Sequence, residues 1–240
     1  MQAFLKAHHF EIGRDAMFGL LAANGLLIRK RKRKGCATTQ SKHRFKKYPH
    51  ICKGFIPIAA NQLWVSDITY IHTGNDFAYL SLITDAYSHK IVGFYLSKDL
   101  SAQGPLKALK MALAANKVTN NLIHHSDRGV QYCCDAYVKL LKDNGIKISM
   151  TENGDPLENA LAERLNGILK SELLEEAYPN FEAAQQAVAI ACSTYNYLRP
   201  HGSINNLKPV DAHLLTGEIP KTWKNYYQLK KQKKEAEMKT

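Results

Sequence analysis

Leu63-Trp64-Val65-Ser66-Asp67-Ile68-Thr69-Tyr70-Ile71 is the stretch on which the reading of this chain turns. Trp64, Val65, Ile68, Tyr70 and Ile71 are strong β-formers, so the stretch predicts a strand. Asp67 stands in its middle. Burying an ionised carboxylate among Val65, Ile68 and Ile71 costs roughly several kcal/mol unless it is paired or binds a metal. The competing reading is a strand with one solvated face and Asp67 pointing outward. This stretch alone leaves both readings open.

Working outward, Gly74-Asn75-Asp76 is turn chemistry, and strands are predicted over Phe77–Asp85 and Lys90–Leu96, which makes an antiparallel meander. Ser101 is a plausible cap for a helix reaching about Asn116. A fourth strand is predicted over Leu122–His125, a helix over Ala136–Asn144 stopping at Gly145, and a fifth strand over Ile146–Met150. Pro156 precedes a helix expected to run to about Ala177, and another spans Phe181–Leu198 until Arg199-Pro200 interrupts it. Three strands, then helix, strand, helix, strand, helix is a mixed α/β order. It matches a ribonuclease-H-like layout: a mixed five-stranded sheet flanked by helices.

Before this core, residues 13–24 read as a short helix with Gly25 as its stop, leading into Arg29, Lys30, Arg31, Lys32, Arg33 and Lys34. A helix ending in a basic run suits a DNA-binding helix-turn-helix that lacks its first helix. The expected organisation is therefore a partial helix-turn-helix segment at 1–34, a basic linker at 35–60, a catalytic core at 61–215 and a basic tail at 216–240.

The net charge of +12 is unevenly spread. In residues 1–60, thirteen Lys and Arg face two acidic residues, for +11; in 61–220, thirteen face seventeen, for −4; in 221–240, seven face two, for +5. An acidic core between basic arms suits a polyanionic partner held by the arms while core carboxylates hold metal. No apolar run is long enough to span a membrane and no secretory signal is seen, which predicts a cytoplasmic, nucleoid-associated protein. Five cysteines with no CxxC pair read as reduced thiols. Cys36, His43, His50 and Cys52 fit no standard zinc spacing.

Two further carboxylates sit in distinctive settings. Asp127 follows the fourth strand, at the carboxyl end where α/β sheets place functional groups, beside Gly129. Glu163 lies on a predicted helix, off the apolar stripe of Leu161, Leu165, Ile168 and Leu169, on a face shared with Asn159, Gly167 and Lys170. Thirty-five residues separate Asp127 from Glu163. Three converging carboxylates can hold divalent metals against a phosphodiester. Spacing alone leaves competitors: Glu152, Asp155 and Glu158 for the third position, and Asp85 for a place beside Asp67. His124 and His125 read as packing or hydrogen-bonding residues rather than ligands. Arg199 and His201, in TyrAsnTyrLeuArgProHis (195–201), read equally as phosphate contacts or as a helix end packed on the core.

Several segments together resemble the integrase-core transposases of bacterial insertion sequences, in particular the second-frame (OrfB) product of two-frame elements. They are TrpValSerAspIleThrTyr (64–70), IleThrAspAlaTyrSer (83–88), HisHisSerAspArgGlyValGlnTyr (124–132), GlyAspProLeuGluAsnAlaLeuAlaGluArg (154–164), LysSerGlu (170–172) and TyrAsnTyrLeuArgProHis (195–201). The resemblance covers nearly the whole chain. It implies a retroviral-integrase-like core with a D-D-E triad at Asp67, Asp127 and Glu163. It sets Glu158 aside, at a position where many relatives carry Asp. The implied activity is metal-dependent DNA cleavage and strand transfer at element ends, with two Mg²⁺ ions per site and Mn²⁺ tolerated. Expected partners are DNA, further copies of the chain in the DNA complex, and an upstream-frame product. Expected DNA contacts are Arg29, Lys30, Arg31, Lys32, Arg33, Lys34, Asn159, Lys170 and Arg199. Two rival readings are a truncated, non-catalytic DNA-binding relic that regulates a full transposase, and a ribonuclease-H-like nuclease.

Overall fold

The computed structural model describes residues 5–6, 8–27, 43–74, 76–116, 118, 121–152 and 159–220. The predicted basic run Arg29–Lys34, most of the tail, Asp155 and Glu158 lie outside the described residues. Of the expected helix-turn-helix, the described residues include the helix α1 (Arg14–Ala23), with Leu5 and Lys6 helical ahead of it. It ends at Gly25, whose φ of 66° suits glycine, with Leu26 N–H closing back on Leu21 O.

The core is a mixed sheet of β1 (Leu63–Thr73), β2 (Asp76–Asp85), β3 (Ile91–Ser97), β4 (Ile123–Ser126), β5 (Lys147–Met150) and the two-residue β6 (Ala177–Tyr178). The strand order is β3-β2-β1-β4-β5, with β6 added beside β1. β1–β2 and β2–β3 are antiparallel, whereas β4 runs parallel to both β1 and β5. The helices are α2 (Gln103–Ala115), α3 (Val130–Cys133), α4 (Asp135–Asp143), α5 (Ala160–Ile168), α6 (Phe181–Tyr197) and α7 (Pro209–Ala212).

Both faces of the sheet are covered. On one side Trp64, Ile83 and Val92 pack against Leu106 and Leu109 of α2 and against Tyr132, Tyr137 and Leu141 of α3 and α4. On the other, Ile71, Leu80, Leu82 and Leu96 pack against Leu165, Leu169, Val188 and Tyr195 from α5, α6 and the turn between them. β1 serves both layers by alternation: Trp64 and Ile68 face the first, Val65 and Ile71 the second. Asp67 shares the face of Val65 and Ile71, so it points into the α5 layer. Asp67 is half-buried there, on a face that packs against a helix, and β1 opens to solvent towards its end, where His72 is exposed.

β1 is also paired in an unusual way. β2 takes one edge over nearly its full length, and the other edge is shared. β4 covers Leu63–Val65 and β6 covers His72–Thr73, so the stretch between them has no strand partner on that side. α5 crosses there.

The long helix expected from Pro156 to about Ala177 is shorter and broken. α5 ends at Ile168, the chain continues as a π-helical turn over Leu169–Leu173, and Leu174 is extended. π turns are uncommon and carry no propensity signal that a sequence reading would see. Gly93 carries no sequence signal either. A Cβ there would lie 2.2 Å from Ala108 O, so α2 rests directly on the backbone of β3.

Candidate active site

β1 and β4 set the first two carboxylates side by side. Leu63 pairs with Ile123 and Val65 with His125. Continued by two residues past the paired stretch, that register would bring Asp127, just beyond the end of β4, level with Asp67 and on the same face. Adjacent strands lie about 4.8 Å apart. Beyond β4 the chain turns into α3, and Asp127 Oδ1 accepts the Gly129 N–H at 2.9 Å. A Cβ on Gly129 would lie 3.0 Å from that oxygen, so glycine lets the carboxylate fold back on its own turn.

α5 supplies the third. Glu163 is in its first turn and exposed. The buried face of this region is Asn159, Ala162, Leu165, Asn166 and Leu169. Two asparagines on that face tie the helix to β1. Asn159 Nδ2 donates to Ser66 O at 3.0 Å, and Asn166 Nδ2 donates to Asp67 Oδ2 at 2.7 Å. Asp67 Oδ1 accepts the Ile68 N–H at 2.9 Å.

Both other acids bear on Asp67. Asp67 is raised from its ordinary 3.8 to about 7, first by burial and next by the Asp127 charge, with Glu163 adding to the rise. Hydrogen bonds from Ile68 N–H and Asn166 pull the other way without cancelling it. The structure thus brings Asp67, Asp127 and Glu163 into one electrostatic neighbourhood.

Asp85 does not join them. It is fully buried and accepts from Ser88 N–H, Ser88 Oγ and Asn61 N–H at 2.8, 2.8 and 2.7 Å, holding the turn after β2. Glu152 is exposed just beyond β5. His124 faces the other layer, with Nε2 3.0 Å from Tyr137 Oη, and burial drives its pKa down to about 3.

The expected DNA contacts are placed variously. Asn159 is buried and its amide is on Ser66 O. Lys170 Nζ sits 3.9 Å from the centre of the Tyr70 ring, a cation–π contact back to β1. Arg199 grips Glu172 in a two-pronged pair, Nε to Oε2 and Nη2 to Oε1, both at 2.7 Å. His201 lies against Arg199 and Tyr195, and burial followed by the Arg199 charge lowers its pKa to about 3.

Asn166 was missed by sequence reasoning, which placed Asn159, Glu163, Gly167 and Lys170 on one face. The signal was the seven-residue interval between two asparagines that share a helical face with Ala162 and Leu169.

The integrase core domain family matches residues 58–156, and a second integrase core family matches 144–209. A 31 kDa protein of insertion element IS600 from Shigella sonnei is 35% identical over 214 residues, covering 87% of this chain and 78% of that protein. The IS629 transposase from Shigella sonnei is 31% identical over 202 residues, covering 84% of this chain and 68% of the transposase. This chain belongs to the integrase-core transposases of insertion sequences. That family is one of polynucleotidyl transferases. Against some other insertion-sequence relatives this transposase-family chain spans 54% to 59% of their length. The fold agrees: the HTLV-2 integrase catalytic core, solved in complex with magnesium, superposes with a TM-score of 0.53 at 18% identity, over 66% of this chain and 99% of that one.

The residues fit a divalent metal of the hard class. Asp67, Asp127 and Glu163 offer oxygen only, which suits Mg²⁺ or Mn²⁺ rather than a soft ion. Asn159 Oδ1 and Asn166 Oδ1 beside them are buried without a hydrogen-bond donor.

Proposed function

We propose that this chain is a DNA transposase that cleaves and rejoins strands at the ends of an insertion sequence, with residues 61–215 carrying the chemistry. The observation that carries the reading is geometric: Asp67 on the central strand is bonded to Asn166 of the helix that bears Glu163, and Asp127 stands just beyond the end of the adjoining strand, so that both other charges bear on Asp67. In this reading Asp67, Asp127 and Glu163 would together hold the divalent ions, two Mg²⁺ per site. When bound, such ions lower the pKa of the attacking hydroxyl and offset the charge that builds on the phosphate.

The chain's own groups then do the positioning. Asn166 holds Asp67 in one orientation by its 2.7 Å bond. The Gly129 N–H does the same for Asp127. The attacking oxygen is water for cleavage or a 3′-hydroxyl for joining. It forms a bond to phosphorus as the bond to the leaving 3′-oxygen breaks, so both steps use one site. Lys170, with the basic segment Arg29–Lys34, meets phosphates and so positions the duplex without reading sequence. Copies of the chain, and an upstream-frame product, would assemble on the two element ends.

The test is strand transfer in vitro with Mg²⁺, on DNA carrying the ends that flank this reading frame. Asp67→Asn, Asp127→Asn and Glu163→Gln should each abolish nicking and joining while leaving DNA binding largely intact. Full activity in any one of them would refute the assignment. Cleavage of an RNA–DNA hybrid without joining would instead favour the nuclease reading.

A further inference from the structure

His125 lies one pleat before Asp127 on β4, on the same face of the sheet. Its register partner on β5 is Ser149, and His125 Nδ1 is 2.9 Å from Ser149 Oγ. The strap that leads into the core passes over this pair. From it, Ile51 N–H donates to Ser149 Oγ at 3.1 Å, and Cys52 Sγ lies 3.3 Å from the same oxygen. His50 stacks on His125 with ring centroids 4.7 Å apart. One ligand atom from each of His50, Cys52 and His125 falls within 4.8 Å of the other two.

We propose that His50, Cys52 and His125 form a Zn²⁺ site, distinct from the three carboxylates, that clamps the strap at 49–52 onto the β4–β5 edge. The donor set separates the two centres. One thiolate and two imidazoles are zinc ligands, whereas the acidic triad offers only oxygen. With Zn–N about 2.0–2.1 Å and Zn–S about 2.3 Å, ligand atoms of a tetrahedral site stand roughly 3.3–3.6 Å apart. The cluster therefore closes on an ion by side-chain shifts of about 1 Å, with a water filling the fourth position.

The hydrogen bonds at Ser149 accommodate the protonation pattern that such a site needs. Ile51 N–H can only donate, and occupies one lone pair of Oγ. When His125 Nδ1–H donates to the other, Nε2 is left with its lone pair outward, as a ligand requires. The single Ser149 hydroxyl proton then points to Cys52 Sγ, which acts as an acceptor, as a thiolate would. An outer hydrogen bond that fixes the tautomer of a ligating histidine is the usual companion of a metal site. The strap's direct backbone tie here is long, Met150 N–H to Pro49 O at 3.3 Å. A metal clamp would thus fix the approach of the basic N-terminal region to the strand that leads into Asp127. Because His125 lies more than seventy residues beyond Cys52, no local spacing in the sequence announces the site.

The full chain, stripped with chelator and titrated with Co²⁺, tests this. One equivalent should produce thiolate-to-cobalt charge transfer and the visible bands of a tetrahedral ion, both lost on adding Zn²⁺ and unmoved by Mg²⁺. Cys52→Ser should lose the charge-transfer band, while Cys36→Ser and Asp67→Asn keep it. Ser149→Ala, which leaves all three ligands, should weaken Zn²⁺ binding about ten- to a hundredfold. In the unaltered chain Zn²⁺ should slow alkylation of Cys52, read by mass spectrometry, at least about tenfold by occupying the thiolate. No charge transfer in the unaltered chain, its persistence in Cys52→Ser, or unchanged alkylation of Cys52 would overturn the proposal.

Discussion

Replacing Asp67 by Asn should make the metal-free protein more stable at pH 8, although it removes a group placed at the centre of the chemistry. Asp67 has its carboxyl raised from 3.8 to about 7 in the folded chain. Between those values the folded state holds a proton that the unfolded state has released. Stability therefore falls as pH rises from about 4 to about 7, and above that the full cost of the buried charge is present. Roughly three pH units at about 1.4 kcal/mol each give a ceiling of about 4 kcal/mol. Residual exposure of Asp67 to solvent lowers it, so a gain of about 2–3 kcal/mol is expected. Asparagine at this position keeps the bond from Ile68 N–H. The Asn166 amide, by turning over, offers its otherwise unpartnered Oδ1 to the new NH₂ group. Little hydrogen bonding is lost. Urea unfolding of both chains in chelator, across pH 4 to 8, reads the difference, in which the other titrating groups cancel. The midpoint of Asp67→Asn should lie higher at pH 8, by on the order of 1 M for a chain of this size, and the gap should close towards pH 4. Mg²⁺ should narrow the gap by stabilising only the unaltered chain. An Asp67→Asn chain less stable than its parent at pH 8, or a gap that does not change with pH, would refute the account of this site.

Other outcomes follow from contacts on the same framework. Asn166→Ala removes a 2.7 Å donor to an ionisable carboxylate and should cost about 1.5–3 kcal/mol at pH 8, with a smaller loss at pH 5, in the same unfolding assay. Gly93→Ala forces a Cβ to within 2.2 Å of Ala108 O and should cost on the order of 3 kcal/mol, read as a lowered Tm. Arg199→Ala breaks a two-pronged pair whose side chains are 23% and 24% exposed, and should cost about 1–3 kcal/mol. Lys139→Ala breaks a pair 75% and 55% exposed, and should cost no more than about 0.5 kcal/mol, so the two melts should differ clearly.

The sequence was most legible where periodicity is strong. Strands β1 to β5 and helices α2, α4 and α6 lie where alternation, turn residues and Gly145 predict them. The α/β order followed from those elements alone. The triad became specific only through the motifs around it, because Asp85 and Glu152 are equally acidic and Asp85 ends a strand three register positions from Asp67. Depth separated them: Asp85 is saturated by Ser88 and Asn61, a fact of tertiary packing. β6 and the π turn at Leu169–Leu173 escaped for a related reason. Two paired residues and one extra residue per turn are fixed by what they pack against, with no local signature. Asn159 reads as a surface contact when its helical face is assigned from Glu163, whereas the buried face lies one residue round the helix.

The divided edge of β1 has a consequence for when the site can exist. β4 and β6 leave the middle of that edge to α5, and Asn159 takes the place of a strand donor on Ser66 O. During synthesis the five long strands are complete by Met150, with Asp67 and Asp127 already made. Glu163, Asn166 and the β6 residues arrive later and must travel back to the first strand, a closure of about a hundred residues. Such long-range closures are slow steps in folding. A growing chain therefore carries an unfinished, two-acid pocket until Glu163 of its 240 residues has been made, and acquires the third acid only after the five strands of the main sheet path.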